Sequence, residues 1–173
     1  MTKLSVILSP ELRLEQALKE AGIENPEVVR KLTVAGAMTE DDFAYIRENM
    51  AESLWELDMG KATVTENIIA NDAFLDCTGL KSVVIPNSVV KIGKGAFSGC
   101  SGLTSLTIPD SVTAIGEGAF YGCMDLSSVV IPESVKEIGD YAFGSCYNLT
   151  SVVIPKSVVK MGNNVFSGCI SLP

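Results

Sequence analysis

The amino-acid sequence predicts a β-rich solenoid of stacked coils, because three features of its second part recur every 23 residues. Phenylalanine recurs at Phe74, Phe97, Phe120, Phe143 and Phe166. Cysteine recurs at Cys77, Cys100, Cys123, Cys146 and Cys169. An Ile-Pro pair recurs with its isoleucine at Ile85, Ile108, Ile131 and Ile154. A fixed period of this length is typical of repeat proteins in which each unit packs on its neighbours.

Composition restricts the function classes. The chain has 173 residues, 47% hydrophobic and 20% charged, and this balance excludes intrinsic disorder. It contains no histidine, so the commonest proton shuttle and the commonest metal ligand are both missing. The net charge of -8 disfavours binding to the phosphate backbone of nucleic acids. We therefore expect no catalytic activity, no cofactor and no nucleic-acid partner.

Charge and hydropathy divide the chain into two parts and indicate no membrane segment. Residues 1–76 hold seven basic and fifteen acidic side chains, whereas residues 77–173 hold six of each. The uncharged stretch at residues 141–155 falls short of the roughly 18 residues that a membrane-spanning helix needs. The apolar run at residues 4–8 is too short for the core of a secretory signal peptide. We expect neither membrane insertion nor a signal peptide in this chain.

The acidic part is predicted to contain two helices. Ser9 can cap the first helix, Pro10 suits its first position, and Gly22 can end it. We expect this helix to cover the first coil as a lid. The second helix should begin at Thr39, because Asp42 follows three residues later as a variant of the capping box. The apolar sides would be formed by Leu12, Leu18 and Ala21 in the first helix and by Phe43, Ile46 and Met50 in the second.

The acidic run at residues 40–42 has two interpretations. Carboxylates could form a cation site, but no glycine-containing calcium loop surrounds them. At a helix start they complement the partial positive charge of the free N–H groups, and we favour this structural interpretation. Independently of this choice, we expect the second helix to pack on the outer side of the first coil.

Each repeat unit contains a leucine-rich pattern, as in Leu103, Leu106 and Ile108. These side chains should point into the coil, and the proline that follows should end the strand because it has no N–H donor. A Ser-Val-x-x-Ile-Gly segment should return along the outer wall. We expect its glycine to permit the bend into the Ala-Phe turn, at Gly93, Gly116, Gly139 and Gly162. The leucine-rich pattern also recurs at Leu54, Leu57 and Met59 and, less clearly, at Val29, Leu32 and Val34.

The repeat AFxxCxxLxxLxIPxSVxxIG over residues 73–172 resembles the BspA-like, or Treponema-type, leucine-rich repeats. Residues 32–64 resemble the cap that precedes such repeats. The resemblance implies a leucine-rich-repeat solenoid, a right-handed β/α superhelix with a parallel concave sheet and an N-terminal helical cap. We place the cap at residues 1–53 and the continuous solenoid at residues 54–173, with 23-residue units from residue 73 and an incomplete last copy. The resemblance also implies a bacterial cell-surface or secreted protein that serves adhesion or recognition of a protein ligand, such as a host or matrix protein.

The five cysteines stand at equivalent positions of successive units. Stacking would place each thiol above the previous one at about 4.8 Å, with parallel Cα–Cβ bonds and no tetrahedral cage. This arrangement favours a ladder of buried thiols over an occasional disulfide, a metal site or a catalytic group.

Two columns of small, nearly uncharged side chains should line the concave face. The first column contains Ser82, Ser105, Ser128 and Ser151. The second contains Val84, Thr107, Val130 and Val153. Such a face could suit a flat or extended partner. The simpler interpretation, which we favour at this point, is that β-branched residues stabilise a parallel sheet.

A third column becomes more apolar toward the C-terminus and reads Thr78, Ser101, Met124, Tyr147 and Ile170. The last three members, with nearby Tyr121, would form an apolar patch where polar residues are expected. Binding or self-association and contact with further sequence are both open. We predict a non-catalytic recognition module; the alternative is a structural spacer that associates with itself through an uncovered C-terminal coil.

Overall fold

A computed structural model describes residues 2–173 of the chain. The first part contains three long parallel strands and two helices. These elements are strands β1 (Thr2–Leu8), β2 (Val29–Met38) and β3 (Glu56–Val64) and helices α1 (Leu14–Glu20) and α2 (Glu40–Met50), with single 3-10 turns at Pro26–Val28 and Thr65–Asn67. Within the described residues, no helix combines the length and the apolar character needed to cross a membrane.

The repeats contribute short strands to three sheets, one on the outer side and two on the inner side. The outer strands are β4 (Ile68–Ile69), β6 (Lys91–Ile92), β8 (Ala114–Ile115), β10 (Glu137–Ile138) and β12 (Lys160–Met161). The inner strands are β5 (Ser82–Val84), β7 (Ser105–Thr107), β9 (Ser128–Val130) and β11 (Ser151–Val153). The outer strands form one continuous sheet, whereas the inner strands divide into the series β1-β2-β3-β5-β7 and the separate pair β9-β11.

Strand pairing confirms that the coils stack in register. Val83 pairs with Leu106 at an interval of one repeat, and Leu57 of strand β3 pairs with Val83. Leu32 of strand β2 pairs with Leu57, so the weak leucine pattern of the acidic part belongs to the same sheet. The inner strands end just before the Ile-Pro pairs. This end is expected, because proline has no N–H group to donate to the ladder. Strands β2 and β3, which lie on either side of the boundary at residue 53, pair in one sheet, and the division into cap and solenoid stays a prediction.

The phenylalanine column forms the centre of the core. Phe74, Phe97, Phe120 and Phe143 are completely buried, and the rings from Phe74 to Phe166 stack with centroid distances between 5.0 and 5.7 Å. Phe43 of helix α2 meets Phe74 edge to face at 5.4 Å. The helix therefore continues the same core, and its position on the outer side of the first coil stays a prediction.

The repeat glycines before the Ala-Phe turns have a different role from the one predicted. A Cβ atom at residue 93 would lie 2.7 Å from the carbonyl oxygen of Ile69, and one at residue 116 would lie 2.7 Å from the carbonyl carbon of Gly93. Gly93 and Gly116 do not adopt a positive φ. These glycines are needed because the backbones of successive coils approach too closely to admit a side chain.

The prediction for the first helix is wrong at its start and in its role as a lid. Ser9 and Leu12 exchange backbone hydrogen bonds at 3.2 Å, and the Ser9 hydroxyl accepts from the Leu12 N–H, so Ser9 closes a turn of its own. Helix α1 begins only at Leu14 and packs beside strand β1 and helix α2. Strand β1, which the sequence analysis missed, forms the edge of the sheet in the described residues.

Helix α2 begins as predicted, and Asp42 also fixes helix α1. The Thr39 N–H donates to the Asp42 carboxylate at 2.9 Å, which forms part of a capping box. The Leu14 N–H and the Arg13 guanidinium donate to the same carboxylate, each at 2.8 Å. Asp42 is buried, and its oxygens accept hydrogen bonds at the starts of both helices. The structural interpretation of the acidic run therefore accounts for the presence of this carboxylate.

Candidate recognition surfaces

The two columns of the predicted concave face lie side by side on the inner strands. The central residue of each strand, such as Val83 or Val129, points into the core, while its neighbours face outward. Ser82 is half-buried, and the other members of both columns are exposed: Ser105, Ser128, Ser151, Val84, Thr107, Val130 and Val153. We call this surface the inner face. Val130 is 70% exposed and Val153 is 65% exposed, so these methyl groups are left to water.

The inner face is divided between strands β7 and β9. Ser82 pairs with Ser105, and Ser128 pairs with Ser151, but the described strands form no ladder between Ser105 and Ser128. The outer sheet is continuous at the same level, where strands β8 and β10 pair. Strands β7 and β9 nevertheless lie side by side, so the interruption is confined to the hydrogen-bonded ladder.

The N-terminal end of the inner face is charged, which sequence reasoning missed. Lys31 pairs with Glu56 at 2.6 Å across strands β2 and β3. Trp55 is half-buried between two cations: the Arg30 guanidinium carbon lies 5.4 Å from its ring centroid and the Lys81 Nζ lies 4.8 Å from it. The sequence signal that could have revealed this arrangement is that three residues stand at equivalent positions of the leucine pattern, namely Arg30, Trp55 and Lys81. The inner face thus has a charged zone and an uncharged, valine-rich zone.

The third column is exposed along its apolar end. The Asp125 N–H donates to the Ser101 carbonyl and the Asn148 N–H donates to the Met124 carbonyl, each at 3.1 Å, so successive members stack. Met124, Tyr147 and Ile170 are all exposed. Tyr121 lies instead beside Gly144, in a surface hollow that it shares with Tyr141.

The cysteines form a ladder of unpaired, buried thiols. Each Sγ from Cys100 onward donates to the carbonyl of the phenylalanine 26 residues earlier, at 3.0 to 3.3 Å. Burial raises the pKa of Cys77 and of Cys146 to about 12 and the pKa of Cys100 and Cys123 well above its ordinary value. Such thiols stay protonated and are poor nucleophiles. Within residues 2–173, no cluster of three or more acidic or cysteine side chains is placed to hold a metal ion.

Comparisons with known proteins agree with this geometry. The profile described as "BspA type Leucine rich repeat region" matches residues 61–173 in six copies. A leucine-rich repeat protein from Bacteroides ovatus is 26% identical with a TM-score of 0.63, over 96% of this chain and 35% of that one. The leucine-rich repeat protein of T. pallidum is 35% identical with a TM-score of 0.63, over 68% of this chain and 56% of that one.

A third solved structure, a leucine-rich cell surface protein from Faecalibacterium prausnitzii, is 30% identical with a TM-score of 0.53. The match covers 81% of this chain and 42% of that one. The chain therefore spans less than two thirds of the length of each of these three structures. The search of curated proteins gave no significant match.

Proposed function

Because the chain belongs to the BspA-type leucine-rich repeat family, we propose that it is a non-catalytic protein-recognition module whose inner face contacts the partner. The observation that carries this proposal is the exposure of Val130 and Val153 on adjacent coils. Burying one such side chain contributes roughly 1.5 kcal/mol or more, which is available to a partner but not to the isolated chain.

The chemistry of the inner face supports a protein as the partner. Its valine-rich zone is bordered by serine hydroxyls, which can hydrogen-bond to peptide groups. Its charged zone, with Lys31, Glu56 and exposed Asp58, would fix the direction in which an extended segment or a flat surface binds. A face with an uncharged and a charged end suits a protein surface of the same two-part character.

The partner that we propose is an extracellular protein, such as a host or matrix protein, and the setting is the bacterial cell surface or the secreted fraction. Membership in the BspA-type family supports this setting. The Faecalibacterium structure, described as a cell surface protein, adds support because it is 30% identical. Adhesion would follow from the presentation of the inner face on the cell.

The test is a pair of charge substitutions, Val130→Glu with Val153→Glu, measured for binding to a panel of immobilised matrix and plasma proteins. We expect the double variant to bind at least about 100-fold more weakly, because two carboxylates would have to be desolvated in the interface. The matched control is Val159→Glu, which changes a side chain that is 82% exposed outside the inner face. Equal binding by the double variant and the parent, or no binding to any panel member, would contradict the proposal.

A second candidate function is a structural spacer that associates with itself through the last coil. The observation that favours it is the exposure of apolar side chains there, including Ile154, Val159, Met161 and Ile170. Light scattering over a concentration series tests it. Self-association should raise the apparent mass with concentration, and Ile170→Glu should abolish the increase. A constant monomer mass would exclude this function for the chain.

A further inference from the structure

A surface hollow on the wall of Ala-Phe turns is distinct from the inner face. It encloses about 410 Å³ and spans four coils, from Leu75 to Tyr141. Gly95 and Gly118 are among its lining residues; a Cβ atom at residue 118 would meet only the Cβ of Tyr121, at 3.7 Å, whereas the Asp72 carboxylate already fills the space above Gly95. The rings of Tyr121 and Tyr141 are 44% and 43% exposed. The hollow is therefore lined by two exposed tyrosines, with open space above Gly118.

The equivalent residues of the other coils show which side chains the repeat accepts at positions 121 and 141. The positions equivalent to Tyr121 hold Leu75, Ser98, Gly144 and Ser167. The positions equivalent to Tyr141 hold Asp72, Gly95, Gly118 and Asn164. Neither position needs an aromatic side chain to form its coil, since the other coils fold without one. The two tyrosines thus represent departures that stacking alone does not explain.

Tyr141 also occupies an unfavourable backbone conformation. Its φ of 54° lies in the left-handed region, which glycine, aspartate and asparagine tolerate far better than a bulky aromatic residue. A strained residue of this kind persists only where the surroundings hold it, and such residues cluster at binding sites. The Asn164 Nδ2 donates to the Tyr141 hydroxyl at 2.9 Å and so holds the ring in place.

The Tyr121 ring lies beside Gly144 of the next coil, which has no side chain. A Cβ atom at residue 144 would lie 2.8 Å from its Cδ2 and 3.0 Å from its Cε2. Gly144 therefore leaves room for one edge of the ring, and Tyr121 stays 44% exposed. Both rings are pre-positioned, so a ligand would not have to order them.

The rim of the hollow offers both hydrogen-bond donors and acceptors. Lys94 and Glu117 form an exposed ion pair at 3.0 Å, and the Asp72 carboxylate lies over Gly95. The Ser98 hydroxyl adds a group that can donate or accept. The Lys94 ammonium disfavours a quaternary ammonium ligand, and the density of charged groups disfavours a purely apolar one.

We infer that this hollow binds a pyranose ring of a neutral glycan. The C–H groups on one face of a pyranose carry partial positive charge and pack on the electron-rich faces of tyrosine rings. Its hydroxyls donate to the carboxylates of Asp72 and Glu117 and accept from Lys94 and Ser98. The hollow is open and small, so the affinity for a single sugar is weak. Retention of the protein on a glycan surface would therefore depend on several copies of the chain binding at once.

The experiment is an NMR titration of the full chain, with amide shifts and saturation transfer as the readouts. The probes are methyl β-glucoside, methyl β-galactoside, methyl α-mannoside and N-acetylglucosamine, with choline and a polyproline peptide as competing ligand classes. Two variants use residues that the repeat already accepts, Tyr121→Ser and Tyr141→Gly. The matched control is Tyr147→Ser, an exposed tyrosine of the third column whose equivalent in another coil is Ser101.

We expect at least one saccharide to shift the amides of residues 118, 121 and 141. Each of the two variants should weaken this binding at least about tenfold, whereas Tyr147→Ser should leave it unchanged. Thermal unfolding of each variant establishes that it is folded. The inference is overturned if no saccharide shifts these amides, if binding survives in both variants, or if only choline or polyproline binds in the hollow. None of these outcomes bears on the inner face, so the proposed function stands or falls separately.

Discussion

Replacement of Phe120 by alanine is expected to lower the free energy of unfolding by about 3–5 kcal/mol. The ring is completely buried and stacks on Phe97 at 5.4 Å and on Phe143 at 5.1 Å. Its removal would leave a cavity in the middle of the core and break two aromatic contacts. Because each coil is stabilised mainly by its neighbours, the defect would weaken both interfaces of its coil. Urea unfolding followed by circular dichroism measures the change.

The matched control is Phe166→Ala, the same substitution in the half-buried last ring of the column. Phe166 stacks on Phe143 at 5.7 Å on one side only, so we expect a clearly smaller loss of stability. A loss at Phe120 below about 0.5 kcal/mol, within the range of surface substitutions, would contradict the continuous core. Equal losses at the two positions would contradict the dependence of each coil on two neighbours.

Alkaline pH is expected to destabilise the chain as the pH rises above about 9. Four deeply buried thiols, Cys77, Cys100, Cys123 and Cys146, have a pKa raised above the ordinary 9.0 chiefly by burial. The folded state keeps these protons, whereas the unfolded state releases them near pH 9. Stability is therefore complete below pH 9 and is lost as the pH rises toward about 12. At pH 10, each thiol whose pKa is about 12 in the folded state, Cys77 and Cys146, would lower the free energy of unfolding by roughly 1 kcal/mol, and Cys100 and Cys123 act in the same direction.

Urea unfolding at a series of pH values measures this loss, and Cys123→Ala is the control. Alanine cannot ionise, so the loss of stability between pH 8 and pH 10 should be smaller than in the parent. Comparing each protein with itself at two pH values removes the cost of the substitution. The thiol explanation would be contradicted if the variant and the parent lose the same free energy over this range.

The solenoid and its register could be predicted from the sequence because stacking imposes the same chemistry on every coil. The pairing of Val83 with Leu106 follows directly from the 23-residue period. Strand β1 could not be recognised with the same ease, because it has neither the proline nor the cysteine of the repeat. Its alternating Leu4, Val6 and Leu8 were the only local signal, and the turn at Ser9 was misinterpreted as a helix cap.

The columns of the inner face could be predicted because period-2 alternation determines which side chains point outward. The hollow beside Tyr121 could not, because its shape depends on the close approach of Gly144 and on the left-handed backbone of Tyr141. The sequence signal was present, however, in the alignment of Tyr141 with Gly95 and Gly118. The division of the inner face between strands β7 and β9 has no such signal, since Ser105 and Ser128 are the same residue type.

The inner face and the hollow occupy different walls of each coil, so a protein and a glycan could bind at the same time. The inner face comprises strand residues such as Val130, and the hollow comprises turn residues such as Tyr121. Substitutions at one surface should leave binding at the other unchanged when both partners are measured together. This independence would let the chain engage a glycosylated protein through both components.

The shared register of the coils also governs how such a chain can grow or shrink through gene rearrangement. Gain or loss of one complete 23-residue unit brings together positions that already match, such as Val83 and Val129, so ring, thiol and glycine columns all remain intact. An insertion of one residue within a strand would turn the following side chains to the opposite face and interrupt every column at once. A change in length by whole coils therefore preserves the core, whereas the exposed positions can differ from coil to coil.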